Sequence, residues 1–150
     1  RQMCIRDRHA PEAGMRVLVD TSAWVDFFND HPSPEAEALA ELIREEADVL
    51  TCGVIVAEVL QGLRRSSTRR TIERHFLDME WLTPREPDTY LLAAGLYRDL
   101  RSQGTTIRST IDCLIAALAS ERNVLVLSKD RDIRLIIESG LLGVRALPIA

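Results

Sequence analysis

The sequence predicts a single α/β domain, on three observations. From Met15 onward short β-rich runs alternate with longer segments of helical period, the pattern of successive strand and helix units. Residues 124–127 (VLVL) are apolar at every position, as a strand buried on both faces of a parallel sheet should be. A length of 150 residues, 46% hydrophobic and 28% charged, suits one domain with a sizeable core. The same composition excludes a disordered or collagen-like chain, and no uncharged apolar run approaches the roughly 18 to 20 residues of a membrane span.

Each element follows from local chemistry. Residues 1–14 (RQMCIRDRHAPEAG) are polar, lack an apolar leader segment and precede Met15, so they read as a non-native or disordered extension, with the domain spanning 15–150. Residues 16–20 (RVLVD) form the first strand, and Asp20, Thr21 and Ser22 are able to cap the helix that carries Trp24, Val25, Phe27 and Phe28. Pro34 opens a second helix, with Ala36, Leu39, Ala40, Leu42 and Ile43 at helical spacing. A strand at 49–52, a helix at 53–64, an Arg-rich helix at 67–79 and a brief strand at 80–82 follow. Pro87 opens a long helix ending near Gly104, and Ser109 starts another that runs to about Arg122. After the VLVL strand comes a helix at 130–139, and residues 143–147 (GVRAL) are expected to form a last strand.

Asp plus Glu number 23 against 19 for Lys plus Arg, a net charge of −4, so the chain as a whole is not an electrostatic nucleic-acid binder and any such contact must be local. Lys129 is the sole lysine; the planar guanidinium suits phosphate and carboxylate, although GC-rich coding produces the same arginine bias. Arg64, Arg65, Arg69, Arg70 and Arg74 form the one dense cationic run. Arg70 and Arg74 share a helix face, which reads either as a phosphate track or as a solvated face paired with Glu73. Cys4, Cys52 and Cys113 are odd in number and lack CxxC spacing, which points to reduced thiols and a cytoplasmic chain. The three histidines are scattered and make no HExxH pattern.

Four acids stand out by position. Asp20 ends the first strand, Glu58 lies early in the helix after the second, Asp112 is in the first turn of a helix, and Asp130 follows the VLVL strand. In an open parallel sheet these positions share the carboxyl edge, where ligands bind at a topological switch point. Converging carboxylates without Lys or His partners repel one another, and Mg²⁺ or Mn²⁺ are the natural neutralisers. A plainer reading makes Asp20 and Asp130 helix N-caps and Ser109-Thr110-Ile111-Asp112 a capping box. Glu58 resists it, being the only charge in the stretch VIVAEVL and too far into its helix to cap it.

Residues 15–28 (MRVLVDTSAWVDFF), 51–62 (TCGVIVAEVLQG), 107–117 (IRSTIDCLIAA) and 124–133 (VLVLSKDRDI), in that order, resemble the successive motifs of PIN-domain ribonucleases, specifically VapC toxins of type II toxin-antitoxin pairs. The resemblance implies a PIN-like α/β/α sandwich with a central, mainly parallel sheet of about four to five strands. It implies a metal site for Mg²⁺ or Mn²⁺ whose catalytic and metal-binding acids match Asp20, Glu58, Asp112 and Asp130 here, with Asp132 as the second match for the fourth position. Ser22 matches a hydroxyl near the site, with helix capping as its alternative role. The chain departs from the family pattern at Ile133, where Phe is customary, and at Lys129, where an acid or Asn is common. The implied activity is metal-dependent endoribonuclease cleavage of RNA by in-line phosphodiester hydrolysis. The implied partners are a cognate VapB-like antitoxin and a second copy of the chain, in a cytoplasmic, not membrane-bound, protein. Arg108, adjacent to Ser109, is nearer the proposed site in sequence than the arginine run at 64–74 and is the first candidate for a substrate phosphate. Two other classes remain open from the residues alone: another metal-dependent nuclease or phosphatase on a similar sheet, and a non-catalytic protein-binding module.

Overall fold

The computed structural model describes residues 15–64 and 66–149; the expected N-terminal extension and Arg65 of the basic run lie outside the described residues. Four strands, β1 (Arg16–Val19), β2 (Asp48–Cys52), β3 (Glu80–Leu82) and β4 (Leu125–Leu127), form one sheet in the order β3-β2-β1-β4, parallel throughout. Seven α-helices are found among the described residues: α1 (Thr21–Phe28), α2 (Pro34–Arg44), α3 (Gly53–Gln61), α4 (Arg69–Leu77), α5 (Asp88–Ser102), α6 (Thr110–Arg122) and α7 (Arg131–Ser139). The register sets Leu18 opposite Leu50 and Val126, so the centre of the sheet is apolar on both sides.

The chain order explains the layers. Connections from β1 to β2 and from β2 to β3 step in one direction, and the connection from β3 to β4 jumps back across β1. Right-handed crossovers then put α1 to α4 on one face and α5 and α6 on the other. The packing agrees: α1 contacts α2 and α3, α3 contacts α4, and α6 contacts both α5 and α7. The reversal makes the β1/β4 boundary the switch point, and its carboxyl edge is the crevice where such sheets take ligands.

Local signals account for the element ends. Ser33 Oγ accepts from the Ala36 N–H at 3.1 Å, with Pro34 in the first turn, which starts α2. Asn123 ends α6 at φ 51° and Gly140 ends α7 at φ 70°, both left-handed caps. In α6 every residue from Cys113 to Ala119 is buried, as expected of a helix covered on one side by the sheet and on the others by α5 and α7. Trp24 is buried, stacked on Phe28 and edge-on to Phe76 at 5.0 Å, so the aromatic stripe of α1 belongs largely to the core.

Two expectations need correction. Residues 143–147 do not form a full strand: one parallel bridge, Val126 to Ala146, is made, with Leu147 N–H on the Val126 carbonyl at 2.9 Å. Positive φ at Gly140, Leu142 and Gly143 turns the backbone just before it, and Pro148 offers no N–H to extend the ladder. The Arg-rich helix is also shorter than predicted, a 3₁₀ turn at Ser66–Thr68 leading into α4. On α4, Ile72 and Phe76 face inward, and Glu73 pairs with Arg69 at 3.4 Å, an exposed ion pair worth little to stability.

Candidate active site

Separate elements deliver five carboxylates to the switch-point edge. Asp20 follows β1, and its N–H bonds the Leu127 carbonyl at 2.9 Å, which ties the end of β1 to the end of β4. Glu58 projects from α3, Asp112 from the first turn of α6, Asp130 from the loop after β4 and Asp132 from the first turn of α7. One carboxylate oxygen each of Asp112, Asp130 and Asp132 falls within 4.8 Å of the others. Asp20 and Glu58 act on Asp112 electrostatically, so these two predicted acids stand near the group of three without belonging to it.

Short hydroxyl side chains hold the acids in place. Ser128 Oγ donates to Asp20 Oδ2 at 2.7 Å and accepts from the Asp130 N–H at 3.0 Å. A hydroxyl has one proton, so Ser128 acting as both donor and acceptor fixes the two acids relative to each other. Ser22 Oγ lies 3.2 Å from the same Asp20 oxygen and accepts the Lys129 N–H at 3.0 Å. Thr21 Oγ1 donates to Glu58 Oε1 at 2.9 Å, so the half-buried Glu58 is oriented across the gap between α1 and α3.

The capping reading fails for two acids and holds for one. Asp20 stands at the N-cap of α1 but makes no cap hydrogen bond with its side chain. Ser109 caps α6 through the Ile111 N–H at 3.2 Å, while Asp112 returns no bond to complete a box among the described residues. Asp130 does cap α7, its Oδ1 accepting from the Asp132 N–H at 2.7 Å, while it also supplies an oxygen to the group formed with Asp112 and Asp132.

Asp132 is 1% exposed, and its Oδ2 accepts from both the backbone N–H and the Nε of Arg108, each at 3.0 Å. Burial works against its charge, but these bonds and the guanidinium hold its carboxyl below the usual carboxylate range. Asp112 goes the other way: burial, then Asp130, Asp20, Asp132 and Glu58, push it up to about 7. Burial also raises Asp20, more than the bonds from Ser128, Thr21 and Ser22 lower it. Lys129 Nζ, near in sequence, is engaged by buried Asp26 Oδ2 at 2.6 Å.

The donor set fits a divalent cation. Every candidate ligand is a hard carboxylate oxygen, the chemistry that Mg²⁺ and Mn²⁺ prefer. Asp132 Oδ1 is buried with no hydrogen-bond partner, and such an oxygen beside two other carboxylates calls for a counter-charge. The two cysteines among the described residues are unsuited to attack: Cys52 and Cys113 are buried, burial raises both thiols, and Cys113 reaches about 11. The sequence did not single out Ser128 or the bond from Thr21 to Glu58; a hydroxyl placed directly after a buried strand, facing Asp-Thr-Ser at the end of its neighbour, was the available signal.

Comparison with known proteins gives a consistent result. Residues 17–137 match the PIN domain family. Ribonuclease VapC11 of Mycobacterium tuberculosis is 38% identical over 117 residues, covering 77% of this chain and 87% of that protein. The structure of VapBC-1 from nontypeable Haemophilus influenzae aligns with a TM-score of 0.65 at 20% identity, covering 89% of this chain and 97% of the other. That of VapBC2 from Rickettsia felis, bound to a DNA fragment from their promoter, aligns with a TM-score of 0.66 at 17% identity, covering 91% and 100%. With the family match extending over most of the sequence and a ribonuclease relative of nearly the same extent, the chain belongs to the PIN domain family, among the VapC ribonucleases.

Proposed function

We propose that the chain is a metal-dependent endoribonuclease toxin of the VapC type, cleaving RNA, acting as a homodimer and neutralised by a VapB-type antitoxin. Asp20, Glu58, Asp112 and Asp130 are the proposed catalytic and metal-binding residues, with Asp132 beside them and Mg²⁺ or Mn²⁺ as the ion. The reading rests on one observation: oxygens of Asp112, Asp130 and Asp132 come together, with Asp20 and Glu58 acting on Asp112 as well, hydroxyls bonded to Asp20 and Glu58, and Arg108 the cation bonded to Asp132. The ribonuclease relative supports the reaction class, and the VapBC structures support the partner.

When bound, a divalent ion supplies Lewis-acid charge for hydrolysis of a phosphodiester. The chain's own residues do the rest of the preparation. Ser128 and Ser22 fix the Asp20 oxygen that they share, and Thr21 turns Glu58 toward the gap between helices. Asp112, poised near neutrality, gives up its proton readily once positive charge arrives.

The direct test is cleavage of single-stranded RNA by protein freed of host nuclease. Excess EDTA should abolish cleavage and added Mg²⁺ or Mn²⁺ should restore it; equal activity in EDTA would reject the metal mechanism. Ser128→Ala tests the hydroxyl scaffold. Losing a group that orients a metal ligand typically costs about 10- to 100-fold in metal affinity or activity. The variant should therefore need more Mn²⁺ for half-maximal cleavage, while a wild-type metal dependence would show that Ser128 serves only the α7 turn.

A further inference from the structure

We infer that Arg108 is a substrate-binding residue: its guanidinium, held by Asp132 at the rim of the acidic cluster, clamps a phosphate of the RNA chain next to the one that is cut. This deepens the nuclease reading and rests on it.

The geometry has two unusual parts. Arg108 contacts a single carboxylate oxygen twice, through its backbone N–H and through Nε, both at 3.0 Å. That fixes the direction of the guanidinium plane, yet the side chain is 67% exposed while its partner Asp132 is 1% exposed. A guanidinium carries five N–H donors, and only Nε is used, so both Nη groups lack an acceptor among the described residues. Holding Asp132 does not need them, since the backbone N–H already bonds the same oxygen.

The electrostatic setting says what the free donors are for. An RNA backbone approaching five carboxylates meets repulsion; of the other cations near these loops, Lys129 is engaged by Asp26 and Arg131 acts on Asp132 without a bond to it. Arg108 interacts with Asp132, Asp130 and Asp112, so its charge lies beside the acids and not on a remote face. Two parallel Nη donors on a pinned plane match the paired oxygens of a phosphodiester, the fork geometry that makes arginine a phosphate binder. A fixed charge with exposed donors favours binding and register over the chemical step.

The test compares wild type with Arg108→Gln and Arg108→Lys in steady-state cleavage of a single-stranded RNA at several salt concentrations, with Mn²⁺ saturating for each protein. Arg108→Gln should raise KM about tenfold, as for one lost charge-assisted contact, with kcat reduced less than about threefold. The slope of log KM against log salt should become shallower by about 0.7, the signature of one phosphate contact fewer on a single strand. Arg108→Lys should keep the slope while recovering only part of KM, because lysine restores the charge without the fork. A fall in kcat with KM and salt slope unchanged would overturn the proposal, since Arg108 would then act only through Asp132. No cleavage by wild type would reject the nuclease reading itself; a cleaving wild type with an unaltered Arg108→Gln variant would reject this inference alone.

Discussion

Asp112→Asn is expected to abolish RNA cleavage and, in metal-free protein, to raise the melting temperature. The two effects share a cause. Asp112 is the carboxylate on which Asp130, Asp20, Asp132 and Glu58 converge, so losing its charge removes the centre of the proposed ion site. Groups that merely orient a ligand cost up to about 100-fold when lost, so a ligand at the centre should cost more than about 100-fold in kcat/KM. Stability moves oppositely because the folded state holds this carboxyl up at about 7 against an ordinary 3.8. Between those values the native state binds more proton than the unfolded chain, so stability from this group falls as pH rises, and above about 7 the whole penalty is in force. Asp112 is only half-buried, and solvent screening leaves roughly 1–2 kcal/mol of that penalty. Removing it should raise the melting temperature by a few degrees at pH 8, on the order of 2–4 °C per kcal/mol for a chain of this size. Melts in EDTA at pH 8 and pH 4 decide the matter, because the advantage of the variant should vanish at the lower pH. A lower melting temperature at both would instead make Asp112 a structural residue of the α6 terminus.

The fold was legible because its strongest signals are local. VLVL at β4, Ser33-Pro34 at α2 and Ser109 at α6 each declare an element through burial or capping chemistry within a few residues. The segment at 143–147 misled for the converse reason: its residues suit a strand, and the left-handed turn just before it, which decides the pairing, depends on tertiary packing. In the site, the nearness of Asp112 and Asp130 was legible because their positions relative to strand and helix ends place them at one edge. The partners of the acids were not. The bond from Thr21 to Glu58 spans 37 residues and that from Ser128 to Asp20 spans 108, and hydroxyls at helix starts look like caps until the third dimension is known. The choice between Asp130 and Asp132 was illegible for a related reason, since the two divide their oxygens between α7, Arg108 and the cluster.

A VapB-type partner is expected to inhibit by competing with the ion, and to release protons as it binds. An arginine from an extended or helical tail can enter among Asp20, Glu58 and Asp112, where a guanidinium supplies positive charge and bonds carboxylates bidentately. Half-buried Phe27 and Phe28 of α1, with Ala36 and Ala40 of α2, line a groove that offers such a tail apolar surface. At pH 7 a carboxyl held near 7 is about half protonated, so either a metal ion or a guanidinium must displace that proton to be bonded by both oxygens. Complex formation at pH 7 should therefore release up to about half a proton from Asp112, seen as a buffer-dependent heat in calorimetry, and close to none at pH 9. Because metal and guanidinium neutralise the same carboxylates, each should weaken the other, and linkage requires the two factors to be equal. Adding the partner should raise the Mn²⁺ dissociation constant and stop cleavage together, with Asp112→Asn losing the proton release. A partner that binds tightly and stops cleavage while leaving Mn²⁺ affinity unchanged would mean that it covers the RNA path and leaves the acids alone.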